Sequence, residues 1–468
     1  MKKGVVFILA ALLLAAFAVP AMAETKTSFS GNYTVWALYV SNPVLAGQSE
    51  DEDKASYFAQ RFRLFVDFAP SENLILHLKT EAVDQEFGGN QGIAANAYGT
   101  QATSSGQVLS TADTTGSLEV YNAYMEIKTQ VGAFYMGRML GGTGGLANIG
   151  YTTGYKSWSP PFDTLQVRDR FKWIMPVGNL TLIAVWDKRR EEDFSTGAGN
   201  RATNLQDQDY DIWDVSFVYK FANGAITSDF AWLRSRWGRT PATAVAQQTD
   251  WDALVINPAF ILNFGPFGIH GEIQYMDGEM DRYPQAAGQQ ATSMEGFQYF
   301  IDFTYNYGPG TVGVLYLYAQ GDDPNTANTN EGALGGWGAD YDDALVLHDW
   351  ALCNANTFAA AGGTAGTAWV VGMQDLGFFV NHSLTEDLML SAALHFLWLD
   401  EPGTTGGQPN SDDYGTAFTV GFTYNLMANL IWDLDFEYFA AGDWFKQAGT
   451  VAQIGDAWGM INTLTMTF

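Results

Sequence analysis

Apolar residues recur at every second position over long stretches of this chain, a period that only extended strands can use to build one apolar face. Residues 58–68 set Phe58, Phe62, Leu64, Val66 and Phe68 against Arg61, Arg63, Phe65 and Asp67. Residues 213–221 set Trp213, Val215, Phe217, Tyr219 and Phe221 against Asp214, Ser216, Val218 and Lys220. Residues 297–307 and 430–438 repeat the pattern, with Asp302 on the polar face of one and Asp433, Asp435 and Glu437 on that of the other. A soluble β-sandwich alternates in the same way. The strands these runs mark, however, are expected to be about 10 to 13 residues long, whereas ordinary strands have a mode of about five or six. That length suits a tilted strand crossing a bilayer, and the Tyr, Phe and Trp near the ends suit an interfacial girdle. A bilayer core offers no water to an open strand edge, so such strands must close on themselves. The expected fold is all-β, a transmembrane antiparallel β-barrel.

The connections set the strand number. Tight Gly/Pro/Asn-rich turns fall near 70–72, 130–132, 176–178, 222–224, 265–266, 308–310, 383–387 and 427–429. Such residues supply the backbone angles that hairpins need. Longer connections fall near 41–56, 86–116, 139–163, 191–208, 237–249, 277–294, 321–368, 399–413 and 441–456. Eight turns and nine loops join 18 strands. The signals in 131–138 and 369–382 are weak, which keeps 16 strands as an alternative. An even number places both termini at the short-turn side, expected to be the periplasm, with nine long loops outside.

The start of the chain is expected to be a secretory signal, residues 1–23. Lys2 and Lys3 precede an apolar run from Gly4 to Ala18, and Ala21-Met22-Ala23 is a small-x-small cleavage site. Residues 24–468 then form a single barrel domain. No later stretch has the roughly 20 consecutive apolar residues of a membrane helix. A net charge of −28 argues against nucleic acid as a partner. One cysteine, Cys353, excludes a disulfide scaffold and a Cys-rich metal centre.

At the other end, Trp458, Met460, Leu464, Met466 and Phe468 share one face, and Phe468 is the last residue of the sequence. This resembles the terminal-strand signal by which outer-membrane barrels engage the barrel-assembly machinery. The whole mature chain resembles a bacterial outer-membrane porin, and in length and acidic, aromatic character it is similar to the homotrimeric porins of sulfate-reducing bacteria. The resemblance implies an outer-membrane location among lipid, a homotrimer of separate pores, passive diffusion of small hydrophilic solutes and ions, and no cofactor.

Charged side chains identify the expected pore lining. Of 23 Lys and Arg, 18 lie between Lys54 and Arg239; after residue 240 only Arg282 and Lys446 remain, against 27 Asp and Glu. Arg61 and Arg63, then Arg168, Arg170 and Lys172, then Arg234 and Arg236 recur at spacing two, which puts each set on one face. A charge facing lipid at mid-depth costs about 2–4 kcal/mol, so these sets and Lys79 are expected to line the pore. Asp302, Asp433, Asp435 and Glu437 are the acidic lining residues. Strands far apart in sequence face each other across a barrel, so a basic wall opposite an acidic one is expected, with a field between them. The alternative is that the charges pair along neighbouring strands. Asp169 falls on the apparent outer face, at a subunit interface or near the rim.

The resemblance favours the third long loop as the constriction. Residues 139–163 carry Tyr151, Tyr155, Lys156, Trp158 and Asp163. The longest loop, 321–368, with Asp340, Asp342, Asp343 and Asp349, is the rival. The five histidines have no metal-ligand spacing, so no metal is expected. Acid pairs such as Asp322-Asp323 and Asp412-Asp413 read as solvated loop, with weak Ca2+ binding as the alternative. No G-x-S-x-G stretch is present, so an enzyme is not expected. A substrate-selective outer-membrane channel is the nearest functional rival, marked by an aromatic track along the lumen.

Overall fold

The computed structural model describes residues 25–41, 54–86, 119–140, 167–190, 210–237, 248–283, 292–323, 325–326, 329–331, 372–401, 411–446 and 456–468. Strands appear where the period-two runs lie: β1 (Lys26–Ser41), β2 (Lys54–Ser71), β3 (Leu74–Glu86), β4 (Glu119–Thr129), β5 (Gly132–Leu140), β6 (Val167–Val177), β7 (Leu180–Arg190), β8 (Tyr210–Phe221) and β9 (Gly224–Trp237) in the first half. The second half holds β10 (Gln248–Phe264), β11 (Phe267–Tyr283), β12 (Thr292–Asn306), β13 (Gly310–Ala319), β15 (Met373–Ser383), β16 (Leu388–Trp398), β17 (Asp413–Met427), β18 (Leu430–Ala441) and β19 (Ala457–Thr467). Between β13 and β15 sits β14 (Thr329–Asn330), which pairs parallel with β12 and lies outside the up-and-down order.

Setting β14 aside, 18 strands pair antiparallel with their neighbours, and β1 pairs with β19 to close the barrel. Closure satisfies every strand edge, as a membrane interior demands. The two weakly patterned regions are strands β5 and β15, which decides for 18 over 16. All eight short turns fall at the expected places, seven of them at Gly, Pro or Asn and the eighth at Ser383–Asp387, and Gly178 and Gly265 adopt φ of +61° at two of them. Strand lengths run from 9 residues (β5) to 18 (β2), a wider spread than the sequence predicts.

The closing seam depends on one glycine and the last residue. The Gly31 amide donates to the Phe468 carbonyl at 3.0 Å, and the Phe468 amide donates back at 3.1 Å. A Cβ at position 31 would stand 2.3 Å from the Arg63 carbonyl oxygen and 2.6 Å from the Phe468 ring. Glycine alone allows that approach, and the Phe468 ring then stacks on Phe62 with centroids 6.0 Å apart.

Alternation separates two surfaces. On β8, Val215 is 60% exposed while its neighbours Asp214 and Ser216 are 2% and 1% exposed. The convex outer face carries large apolar side chains throughout, including Phe230, Trp232, Tyr275, Phe303, Phe418 and Tyr438. Near the short turns, Phe267 and Tyr305 pack at 5.0 Å. Trp213 and Trp232 stack at 4.8 Å nearer the other end, completing the two aromatic levels of a membrane-spanning barrel. Polar groups on this face are locally satisfied: Tyr33 Oη donates to Gln60 Oε1 at 2.7 Å, and Trp432 Nε1 donates to Asn462 Oδ1 at 2.7 Å. Among the described residues, no helix is long and apolar enough to cross a membrane.

Candidate functional site

The inward wall is where chemistry can occur. Strand register places Arg61, Arg63 and Lys79 inward on β2 and β3, and Arg168, Arg170 and Lys172 inward on β6. It also places Asp302 inward on β12, and Asp433, Asp435 and Glu437 inward on β18. The pairing of β8 with β9 brings a correction. Arg234 stands opposite Asp211 and shares the face of Trp232 and Phe230, so it faces outward. The side chain of Arg236 lies outside the described residues. Spacing two fixes that two residues share a face without saying which face. Here the residues of the same parity, Phe230 and Trp232, are the outward ones.

Arg234 belongs to an outward row of charges. Directly opposed positions run Arg138, Asp169, Lys188, Asp211, Arg234, Asp252 and Glu279 across β5 to β11. Signs alternate over the first six. Lys188 Nζ lies 3.4 Å from Asp211, and Arg234 Nε lies 3.8 Å from Asp252. Asp169 thus sits outward as expected, between two cations.

Inside, the basic wall is interleaved with carboxylates that sequence spacing alone does not reveal. Arg63 Nε donates to Glu81 at 2.7 Å. Asp187, 1% exposed, accepts from Arg170 Nη2 at 2.7 Å and from Arg168 Nη1 at 3.1 Å, while Arg170 Nε binds its other oxygen. His77 bridges Asp67 and Glu126 at 2.7 and 2.9 Å. Arg61 stacks over Trp36 at 5.2 Å, Arg63 over Tyr121 at 5.7 Å, and Lys79 Nζ over Phe65 at 5.0 Å. The expected basic wall is therefore a mosaic of paired charges, and the reading in which charges pair along neighbouring strands holds on this side. These partners lie one strand away in space but 10 to 49 residues away in sequence, and only register reveals them.

Other inward positions are apolar. Phe300, Leu315, Leu317, Phe379 and Ala393 form one cluster. Ile212, Leu233, Ala253, Met276 and Met294 form another. Between and below them run acids and amides: Asp214, Asp229, Asn257, Glu272, Gln298 and Asp302, all at most 5% exposed. Across the sheet, Asp375 receives His395 Nδ1 at 2.9 Å. Among the described residues, no group of three His, Cys, Asp or Glu is placed to hold a metal ion. Tyr151, Tyr155, Lys156, Trp158 and Asp163 lie outside the described residues, as do residues 1–23, Cys353 and Asp340, Asp342, Asp343 and Asp349.

One titratable group lies beyond the strands, in the turn after β13. Asp322 accepts the Glu331 amide at 3.1 Å. Burial, then a hydrogen bond with the Glu331 carboxyl, pushes its carboxyl up to about 6 from the usual 3.8. The folded turn thus holds a proton that the unfolded chain has released. Its stability is full below the usual value and falls as pH rises from about 4 to about 6. Hydrogen exchange of the Glu331 amide, corrected for intrinsic rate, is expected to show less protection at pH 7 than at pH 4, and Asp322→Asn should flatten that dependence.

No protein-family model matches the chain, and no curated protein sequence does either. Solved structures do. The chain is similar to OccK8 (OprE) of Pseudomonas aeruginosa at 10% identity and TM-score 0.52, with 95% of this chain and 98% of that one covered. It is similar to OpdQ of the same organism at 10% identity and TM-score 0.50, with 94% and 98% covered. A looser likeness, TM-score 0.41 at 10% identity, is to the outer membrane channel DcaP of Acinetobacter baumannii, with 96% and 98% covered. At these identities the likeness concerns the fold. The closed 18-strand barrel and its apolar outer band make the chain an outer-membrane β-barrel.

Proposed function

We propose that this barrel is a porin, a water-filled channel through which small hydrophilic solutes and ions diffuse passively. One observation carries the reading: apart from the outward row close to the long-connection ends of β5 to β11, the charged side chains of the membrane-spanning strands gather on the inward face, behind an outer face rich in apolar side chains. Arg63, Lys79, Arg170, Asp187, Asp302, Asp435 and Glu437 would each cost several kcal/mol facing lipid, and they serve only a polar interior. In this reading the short turns face the periplasm and the long connections face outward. Residues 1–23 direct export, Phe468 marks the last strand for the assembly machinery, three barrels form a homotrimer, and 139–163 narrows the pore. The likeness to the trimeric porins of sulfate-reducing bacteria belongs to the same proposal.

A substrate-selective channel is the second reading. Trp36 and Tyr121, inward and packed under Arg61 and Arg63, favour it, because an aromatic beside a guanidinium can grip a ring or an anion. Planar-bilayer conductance separates the two. A passive pore loses current equally to two stereoisomeric sugars of one size, whereas a selective channel responds to one of them.

A further inference from the structure

We propose that the inward wall of β8 to β12 is a binding track for organic cations, solutes that carry ammonium, amidinium or guanidinium groups. The inference deepens the channel reading above and rests on it.

Asn257 Nδ2 donates to Glu272 Oε1 at 2.8 Å, and Gln274 Nε2 donates to the same oxygen at 3.2 Å. A carboxylate only accepts, so both amides must turn an N–H toward it. Gln274 therefore turns its own oxygen to Gln298, whose Nε2 donates to it. The chain of amides thus runs one way, from Gln298 through Gln274 to Glu272, with Asn257 joining from β10. Each amide spends one N–H along the chain, and the carbonyl oxygens of Asn257 and Gln298 are left without a donor from it.

That surplus is observed. Asn257 Oδ1, Gln298 Oε1 and both carboxylate oxygens of Asp214 are buried and receive no hydrogen bond of full geometry among the described residues, and Asp302 Oδ2 has only the His270 ring nitrogen, 3.5 Å away. These four side chains are 5%, 1%, 2% and 2% exposed. Buried polar groups nearly always have partners, so the oxygens call for a donor that does not belong to these strands. Anions are repelled by such a surface. A compact metal site needs ligands gathered round one point, and no such group occurs among the described residues. The acceptors are instead spread over five adjacent strands, about 19 Å at the usual strand spacing. A row of separated acceptors, part carboxylate and part neutral amide, fits N–H cations moving from one position to the next, each held weakly enough to leave. Arg63, on β2 across the lumen, and Arg168 and Arg170, on β6 two strands from β8, are joined to Glu81 and Asp187 and so oppose such a cation less than bare charges would.

The test is single-channel recording of the purified full barrel, with millimolar putrescine (a four-carbon diamine) as the probe. Brief, voltage-dependent current blockades are expected. Asp214→Asn with Asp302→Asn should shorten them by about tenfold, the effect of losing charge-assisted contacts. Gln298→Glu, which adds a charge without removing an acceptor, should lengthen them, and it covers the case in which the double variant fails to show the heat-modifiable migration of a folded barrel. Conducting channels that putrescine does not block, or blockades that neither change alters, would assign the oxygens to water and overturn the inference while leaving the pore standing. A folded barrel that never conducts would overturn the pore and this inference with it.

Discussion

Replacing Asp187 by alanine is expected to cost the barrel about 3–5 kcal/mol, the usual penalty for removing one partner of a buried ion pair. Asp187 is almost fully buried on β7 and accepts from both Arg168 and Arg170 on β6. Its removal leaves two guanidinium groups on the inward wall without the carboxylate they share. The strands themselves should survive, because their backbone pairing does not involve this side chain. Reversible unfolding in urea with the protein in lipid vesicles reads the loss directly. A change below about 1 kcal/mol would mean that the pair is solvated, as exposed pairs are.

Placing an arginine at Val215 should cost about 2–4 kcal/mol in the same assay, the value for a cation near the midplane on a lipid-facing strand. Val215 is the most exposed apolar side chain of β8 and lies six residues from its short-turn end at Phe221. Tyr219→Arg, four residues nearer that end, should cost only about 0–1 kcal/mol because the side chain reaches the interface. The gradient matters more than either value. Equal costs at both positions would contradict an outer face buried in hydrocarbon, and negligible costs at both would point to a water-exposed face.

The fold was legible in the sequence to an unusual depth, for physical reasons. A membrane barrel must alternate apolar and polar residues along each strand, and its short turns need the backbone freedom of Gly, Asn and Pro. Both signals are local. Thus Trp213 to Phe221 and Leu430 to Tyr438 could be assigned to faces without any knowledge of neighbours. Where alternation fades, legibility fades too. β15 and β16 put Phe379 and Ala393 inward as well as Phe378 and Leu390 outward, so neither face reads as polar. Phe300 and Phe439 likewise hide on the inward face.

The site was less legible because its content is relational. Asp187 looked like one acid among many until β6 was laid against β7. Glu81 gained meaning only opposite Arg63. Arg234 shows the converse: a spacing of two fixes a shared face but not which face, and Trp232 and Phe230 of the same parity make it the outer one. The amide chain from Gln298 to Glu272 left no trace in the sequence at all, since its members are 15 to 24 residues apart or two apart in one strand.

An open aqueous path through the interior is the central claim, and conductance of the refolded protein in a planar bilayer tests it most directly. It predicts long-lived, ohmic current steps, grouped in threes for a homotrimer, with a reversal potential in a salt gradient that favours cations. A correctly inserted, heat-modifiable barrel that passes no current under any applied voltage would contradict it.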